Sequence, residues 1–407
     1  MSNSIDSPKA HGSGWLEILT AGFLVVLVCY AGPLLIYQQA AHAMGVSAAE
    51  FSSWIFAISI AAGVTCIVLS FWMRAPIATA WSAPGTVLLI SLGTRLPMAE
   101  VVGAFFVAAA AILFLGISGL FDRLVRAIPR AVADGMMAGI LFGFGVDAMG
   151  GFAKAPGVIV LLLGAYFALQ VLLPRLTMLA LLTLGLVISW QGYGVQLDTI
   201  GLQLAAPKFT TPQFSVQAML GLALPLVITT VTGQILPGMT ILRANGYQTP
   251  ARPILIVTSL ASMVGALFGG ITTALAAITL ALCAGPDAHP DPDRRWLAGV
   301  AAGVFFCIGG IFAGSIGALL ALLPTEIIAM LAGLALLGAI TKSLTDMLTA
   351  GTDVQAGLVT FIVTTADVSL WGISSAFWGV VAGVGAVIIT RAAMTLWQRG
   401  AARMRSA

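Results

Sequence analysis

The side chains with most chemistry to offer gather in two short stretches. From Arg74 the chain reads RAPIATAWSAPGTVLLISL, and from Gly269 it reads GGITTALAAITLALCAG. Each follows a full hydrophobic run and carries central hydroxyls, Ser82 and Thr86 in the first and Thr272 and Thr273 in the second. Pro76 and Pro84 interrupt helix formation, because proline lacks the N–H and restricts the residue before it. The pattern predicts an extended lead-in followed by a half-helix, a backbone that lipid tolerates only where protein or an aqueous cavity surrounds it. The first half-helix is expected to open near residues 82–86, with Gly85 in its first turn, and the second near 273–276, with Ala276 at its start. Free N–H groups and a positive helix end suit a small anion. The competing role for the hydroxyls is to cap helices or to bond the carbonyl four residues back.

Polar groups on neighbouring runs extend the set. One run carries Tyr30, Gln38 and Gln39, and a later one Thr229, Thr230, Thr232 and Gln234. An amide in mid-membrane needs a partner, so Gln234 is either a substrate or proton-path contact or an interhelix clamp. Tyr30 and Trp81 either meet an aromatic ligand or fill the core. The ionisable candidates for gating or a proton path are Asp134, Asp287 and His289, with Asp147 and Glu326 also inside or opening apolar runs. Lys342 and Asp346 are spaced as an i,i+4 ion pair. Around His289 the chain reads PDAHPDPD, whose prolines and open character oppose a closed ligand cage, so no metal is expected. No nucleotide-binding loop, nucleophile elbow or zinc-helix motif occurs, which argues against an enzyme and against any cofactor. Transport without an ATPase module leaves ion-gradient coupling or facilitated diffusion.

Composition sets the elements that must hold these groups. Of 407 residues, 59% are hydrophobic and 8% charged, and mean hydropathy is +1.05, against about 25% charge in soluble domains. The apolar runs suit membrane-spanning helices rather than barrel strands. They fall at 15–38, 51–72, 76–92, 98–120, 131–149, 157–173 and 176–192, then at 213–236, 251–268, 271–284, 296–320, 326–347, 354–366 and 371–396. The expected architecture is therefore an all-α polytopic membrane protein of fourteen segments, with segments three and ten discontinuous. The expected divisions are a tail at 1–14, a first seven-segment repeat at 15–192, a connecting loop at 193–212, a second repeat at 213–396 and a basic tail at 397–407.

Charge tests that count. With both termini cytoplasmic, fifteen of the eighteen Lys and Arg fall inside, and only Arg95, Lys154 and Lys208 outside. The net charge of +3 follows topology and gives no nucleic-acid signal. No compact cleavable signal precedes the first run, which is expected to stay as an anchor. Cys29, Cys66, Cys283 and Cys307 read as small buried hydrophobes. The two halves share an order of features: helix, helix, broken segment, long helix, then proline opening a helix. Seven is odd, so the halves must be inverted, and a binding site is expected where their broken segments meet.

At these residues the chain resembles the benzoate membrane transport protein family. The resemblance is carried by RAPIATAWSAPGTVLL from Arg74, LPGMTILRANGYQTP from Leu236 and LAAITLALCAGPDAHPDPDRRW from Leu275. It implies the inverted-repeat fold of uracil transporters, with a core of segments one to four and eight to eleven and a gate of the rest. It implies short strands near 77–80 and 271–274, a small aromatic carboxylate and protons as cargo, and residence in the bacterial inner membrane. A homodimer is a candidate assembly, since relatives of that fold are often dimers. Nucleobase carriers of the fold place glutamates in segments eight and ten, where this chain has Thr232 or Gln234 and Leu275 or Ala276. That departure removes the base readout and admits a carboxylate. The implied mechanism docks the carboxylate at the half-helix ends, with Ser82, Thr86, Thr273 and Gln234 as donors. The alternatives are a carrier or channel for another small anion, or for a nucleobase, on the same fold.

Overall fold

The computed structural model describes residues 14–92, 95–121, 123, 129–193, 201–367 and 370–405. Outside the described residues lie the N-terminal tail before Gly14, residues 194–200 of the connecting loop, and Arg126. The side chains of Asp147, Arg399, Arg403 and Arg405 also lie outside them.

The first run is two helices, α1 (Gly14–Ala31) and α2 (Pro33–Ala43), broken at Gly32, where φ is −120° and ψ −79°. Helix α3 (Ala48–Met73) starts at a reciprocal capping box of Ser47 and Glu50 and stops at Arg74, which takes a left-handed φ of 48°. Strand β1 (Thr79–Trp81) and helix α4 (Ala83–Leu92) follow, then α5 (Met98–Ser118), α6 (Arg130–Met149), α7 (Pro156–Leu172) and α8 (Thr177–Gly192). The second half gives α9 (Val216–Ala244), α10 (Ala251–Ala266), β2 (Thr273–Leu275) and α11 (Ala277–Ala284). It ends with α12 (Trp296–Ile311), α13 (Ala313–Ala321), α14 (Thr325–Leu348), α15 (Val354–Thr365) and α16 (Ser375–Arg405). Among the described residues, eight helical runs of 20 to 30 residues are long and apolar enough to cross a membrane. The chain is an all-α polytopic membrane protein whose sole described sheet is the pair β1–β2.

The helices pack in two groups. In one, α12 lies along α3, α10 along α3 and α5, and α1 along α12; in the other, α6 packs on α14 and α15, and α16 on α15. Small residues let the backbones approach, as expected where lipid supplies no drive for helices to associate. A side chain at Gly63 would meet the Gly303 carbonyl at 2.8 Å, and one at Gly303 the Gly63 carbonyl at 2.6 Å. The extended connection before α9 straps the first group together. Along it, N–H groups of Ala205, Lys208, Thr210 and Gln213 donate to Ile311 O, Ser53 Oγ, Leu267 O and Ala99 O at 2.8–2.9 Å. All four acceptors stand at one end of α12, α3, α10 and α5.

Several boundaries differ from the sequence reading. The strands sit at 79–81 and 273–275 rather than 77–80 and 271–274, and α11 opens only at Ala277. The first run continues past Gln38 to Ala43, because Pro33 stands at a first helical position where its missing N–H costs nothing. The run expected to end at Leu236 continues through Pro237 to Ala244. The run expected over 296–320 breaks at Phe312 into α12 and α13.

Replacing Gly303 by leucine should force α12 off α3. Thermal melting in detergent should show destabilisation of about 1–3 kcal/mol or more, whereas Gly164→Ala, with nothing near its added methyl, should leave the melt unchanged.

Candidate functional site

The site is built on a three-residue antiparallel ladder. Thr79 pairs with Leu275, Ala80 with Ala274 and Trp81 with Thr273. The ladder is extended by Ser82 N–H to Thr272 O at 2.9 Å and by Ala276 N–H to Ala78 O at 3.0 Å. Each strand is also tied to the helix before it: Thr79 N–H donates to Cys66 Sγ at 3.1 Å, and Thr273 N–H to Ser262 Oγ at 2.8 Å. Because the strands are antiparallel, α4 and α11 leave from opposite ends. The caps Ser82 and Ala276, opposite Thr272 and Ala78, are four residue steps apart, which at ~3.3 Å each separates them by roughly 13 Å along the ladder.

The two N-termini differ. Ser82 caps α4, its Oγ accepting from Gly85 N–H at 3.1 Å, while Pro84 has no N–H to offer. Thr86 Oγ1 donates back to Ser82 O at 2.8 Å. Gly85 is buried, and an added side chain would run into Leu226. At α11 the cap position is Ala276, which has no side-chain acceptor and whose own N–H is spent on Ala78. The first-turn N–H groups of α11 therefore carry no side-chain cap. Thr273 lies in β2 rather than in the first helical turn, and its buried Oγ1 has no partner among the described residues.

Helix α9 crosses beside this ladder and is not regular. It widens into π-helical turns at Met219–Ala223 and Val231–Ile235. Pro225 and Pro237 each follow such a turn, and each denies an N–H to the carbonyl four residues back, at Gly221 and Gly233. The Gly221 carbonyl is taken instead by Ser374 Oγ at 2.6 Å. Near the second turn, Thr230 Oγ1 lies 3.1 Å from Thr272 Oγ1, and Gln234 Nε2 donates to Trp81 O at 3.4 Å. Gln234 Oε1 is buried with no partner among the described residues. Such an atom is costly unless a ligand or water answers it.

Trp81 is buried, with Nε1 on Pro33 O at 3.5 Å. Its ring stacks on Tyr30 at 6.0 Å between centroids, and Phe306 meets both edge-on. The Tyr30 hydroxyl is 2.8 Å from Ser59 Oγ. The structure thus gathers Tyr30, Trp81, Ser82, Gly85, Thr86, Thr230, Gln234, Thr272, Thr273 and Ala276 around one ladder. Thr232 is half-buried and turns its hydroxyl to Ile228 O. Asp134, Asp287 and His289 stand elsewhere. Asp134 has Asp346, Lys342 and Arg130 as charged neighbours, Asp287 pairs with Arg175 at 2.5 Å, and His289 Nδ1 accepts from Asp291 N–H at 3.0 Å.

Comparison with known proteins now decides the family. Residues 15–389 match the family described as BenE, benzoate membrane transport protein. The chain belongs to that family. It is 45% identical over 374 residues to the benzoate membrane transport protein of Acinetobacter baylyi, covering 92% of this chain and 95% of that one. It is 41% identical over 369 residues to the inner membrane protein YdcO of Escherichia coli, covering 90% and 93%. The fold is shared with the murine anion transporter Slc26a9, solved in an inward-facing state, at TM-score 0.65 and 13% identity over 97% of this chain and 70% of that one. This BenE-family chain is a membrane transporter and not an enzyme.

Phe306, which meets both Tyr30 and Trp81, escaped the sequence reading, since an aromatic in an apolar run looks like any core residue. The prolines at 225 and 237 were the available sign of the widened turns in α9.

Thr273→Val removes a buried hydroxyl that has no partner, so the melting temperature of this BenE-family transporter should hold or rise. If the hydroxyl meets substrate, the half-saturation concentration for uptake should rise several-fold. Ser82→Ala should instead cost about 0.5–2 kcal/mol of stability as a lost cap, read by thermal melting.

Proposed function

We propose that this protein imports benzoate or a closely related aromatic carboxylate together with protons, by alternating access, in the bacterial inner membrane. The observation that carries the reading is the uncapped N-terminus of α11 beside two buried polar atoms, Gln234 Oε1 and Thr273 Oγ1, that have no partner among the described residues. An anion docked there meets N–H donors and a positive helix end without a fixed cation. The donors nearest to hand are the amide of Gln234, the hydroxyls of Thr230, Thr272 and Thr273, and the α11 backbone. Tyr30 and Trp81 supply aromatic wall. The 45% identity to a protein named for benzoate transport supports the substrate class.

The finer architecture belongs to the same reading. Fourteen segments form two inverted sevens, with β1–α4 as the third and β2–α11 as the tenth. Support comes from paired contacts: α3 on α12 answers α5 on α10, and the Cys66–Thr79 bond answers Ser262–Thr273. The strapped group, with α1, α2, α9 and both half-helices, is the core, and α6–α8 with α14–α16 is the gate. Both termini are cytoplasmic. Among the described residues, five ion pairs each join residues assigned to the same side: Arg95–Asp367, Lys154–Glu326 and Lys208–Glu50 outside, Arg175–Asp287 and Arg391–Asp353 inside.

Two of those pairs bridge core and gate, one on each face. Arg175 meets Asp287 at 2.5 Å inside, while Arg95 stands 3.7 Å from Asp367 outside. On the outer side a crevice of about 470 Å³ separates Val87, Leu88 and Ser91 of α4 from Ile140 and Phe144 of α6, with Asp367 also on its lining. Val87 adjoins Thr86, so the crevice leads from outside toward the start of α4.

Radiolabelled benzoate uptake into proteoliposomes, with and without an inward proton gradient, tests the proposal. Saturable uptake that the gradient drives is expected; no saturable uptake rejects the substrate, and indifference to the gradient rejects symport. Removing the inner latch with Arg175→Ala should speed labelling, from the cytoplasmic side, of a cysteine placed at Ala335, which faces Gly32 across the two groups. An exposed pair is worth about 0–1 kcal/mol, so the gain should not exceed roughly five-fold.

A further inference from the structure

Resting on that reading, we propose that Met137 of α6 is the gate-side wall of the site and sets which aromatic acids fit. Gly233 lies in the second widened turn of α9, next to Gln234 and three residues from Thr230, on the flank of the stripe that faces the ladder. A side chain added at Gly233 would run into Met137 Cε, with Sδ at 3.8 Å, so the tip of Met137 fills the notch that this glycine leaves. Met137 is buried, and α6 touches both α4 and the widened turn of α9. It therefore reaches from one helix group to the other beside the buried, partnerless Gln234 Oε1.

The corresponding notch in the first half is filled differently. Gly32, at the break between α1 and α2, faces Ala335 Cβ of α14 at 3.6 Å and Met178 Cγ at 3.7 Å, both ordinary contacts. The first half thus meets its mid-membrane glycine only at ordinary contact distance, with a small residue and the stem of a methionine, whereas the second seats a methionine tip in the notch itself. An unbranched thioether adapts its shape and makes favourable contacts with aromatic rings. Its tip can retract from Gly233 when a ring arrives, and its remaining bulk limits what that ring carries. A π-helical turn is where such functional departures recur.

The test is a ratio: uptake of 4-tert-butylbenzoate against benzoate in proteoliposomes, for the wild type, Met137→Ala and Met137→Leu. Differences of a few methylene groups in an apolar pocket are worth about 10-fold or more. Met137→Ala should therefore raise the ratio roughly 10-fold, while Met137→Leu, which keeps the bulk, should hold it. An unchanged ratio in Met137→Ala, with benzoate uptake intact or with both acids reduced equally, overturns the inference. Should that variant fail to fold, Met137→Val carries the same comparison. Gly233→Ala should depress benzoate uptake by displacing the methionine tip, and the double variant with Met137→Ala should restore it; no restoration also overturns the inference. Wild-type benzoate uptake, measured alongside, tests the substrate reading separately. Its absence rejects that reading, whereas normal wild-type uptake with an unshifted Met137→Ala ratio rejects only the role given to Met137.

Discussion

The structure depends on one constraint, that peptide groups outside a helix cannot be left unpaired inside a bilayer. Residues 75–82 and 269–276 are non-helical stretches surrounded by apolar helices. Each would be prohibitive alone. Paired as β1 and β2, they satisfy one another, and the bonds from Ser82 to Thr272 and from Ala276 to Ala78 carry the pairing to both ends. Neither half of the chain can therefore complete its broken segment without the other. The half-helix ends follow from that pairing, and so does the meeting of Trp81, Thr272 and Thr273 with α9.

Helix α9 shows a second consequence of the same rule. Two prolines within one apolar helix would each orphan a carbonyl. The helix answers by widening before each proline and, at Gly221, by borrowing the Ser374 hydroxyl from the segment before α16. The widened turn at Val231–Ile235 brings Thr230 and Gln234 to the ladder and leaves Gly233 open to Met137. A feature forced by backbone chemistry thereby becomes the place where the two helix groups touch beside the site.

Much of this was legible in the chain. Pro76 and Pro84 announced a broken segment, and hydroxyls at its centre pointed to the half-helix start. Lys342–Asp346 is the i,i+4 pair its spacing suggests. What could not be read was which hydroxyls keep a free valence. Ser82 and Thr86 satisfy the first half-helix locally, whereas Thr273 and Gln234 each retain an unanswered atom. That distinction depends on geometry between residues about 190 and 150 positions apart, which no local pattern encodes. The extension of α9 past Pro237 was missed for a related reason: a proline reads as a stop unless the widened turn before it is known.

The charge balance of the site follows from the same backbone. Neither broken segment, 75–92 or 269–285, carries a Lys or Arg, nor does α9 before Arg243, so the positive field at the ladder comes from helix ends. Each amounts to roughly half an elementary charge. At α4 the Ser82 hydroxyl already answers part of that charge, so the uncapped α11 end is the one left to meet a carboxylate. An empty site keeps that field with nothing to answer it, so release of a bare anion is an uphill step. A neutral acid has less hold on a helix end than its anion has. No buried cation is needed, and one beside the ladder would hold the carboxylate too firmly for release.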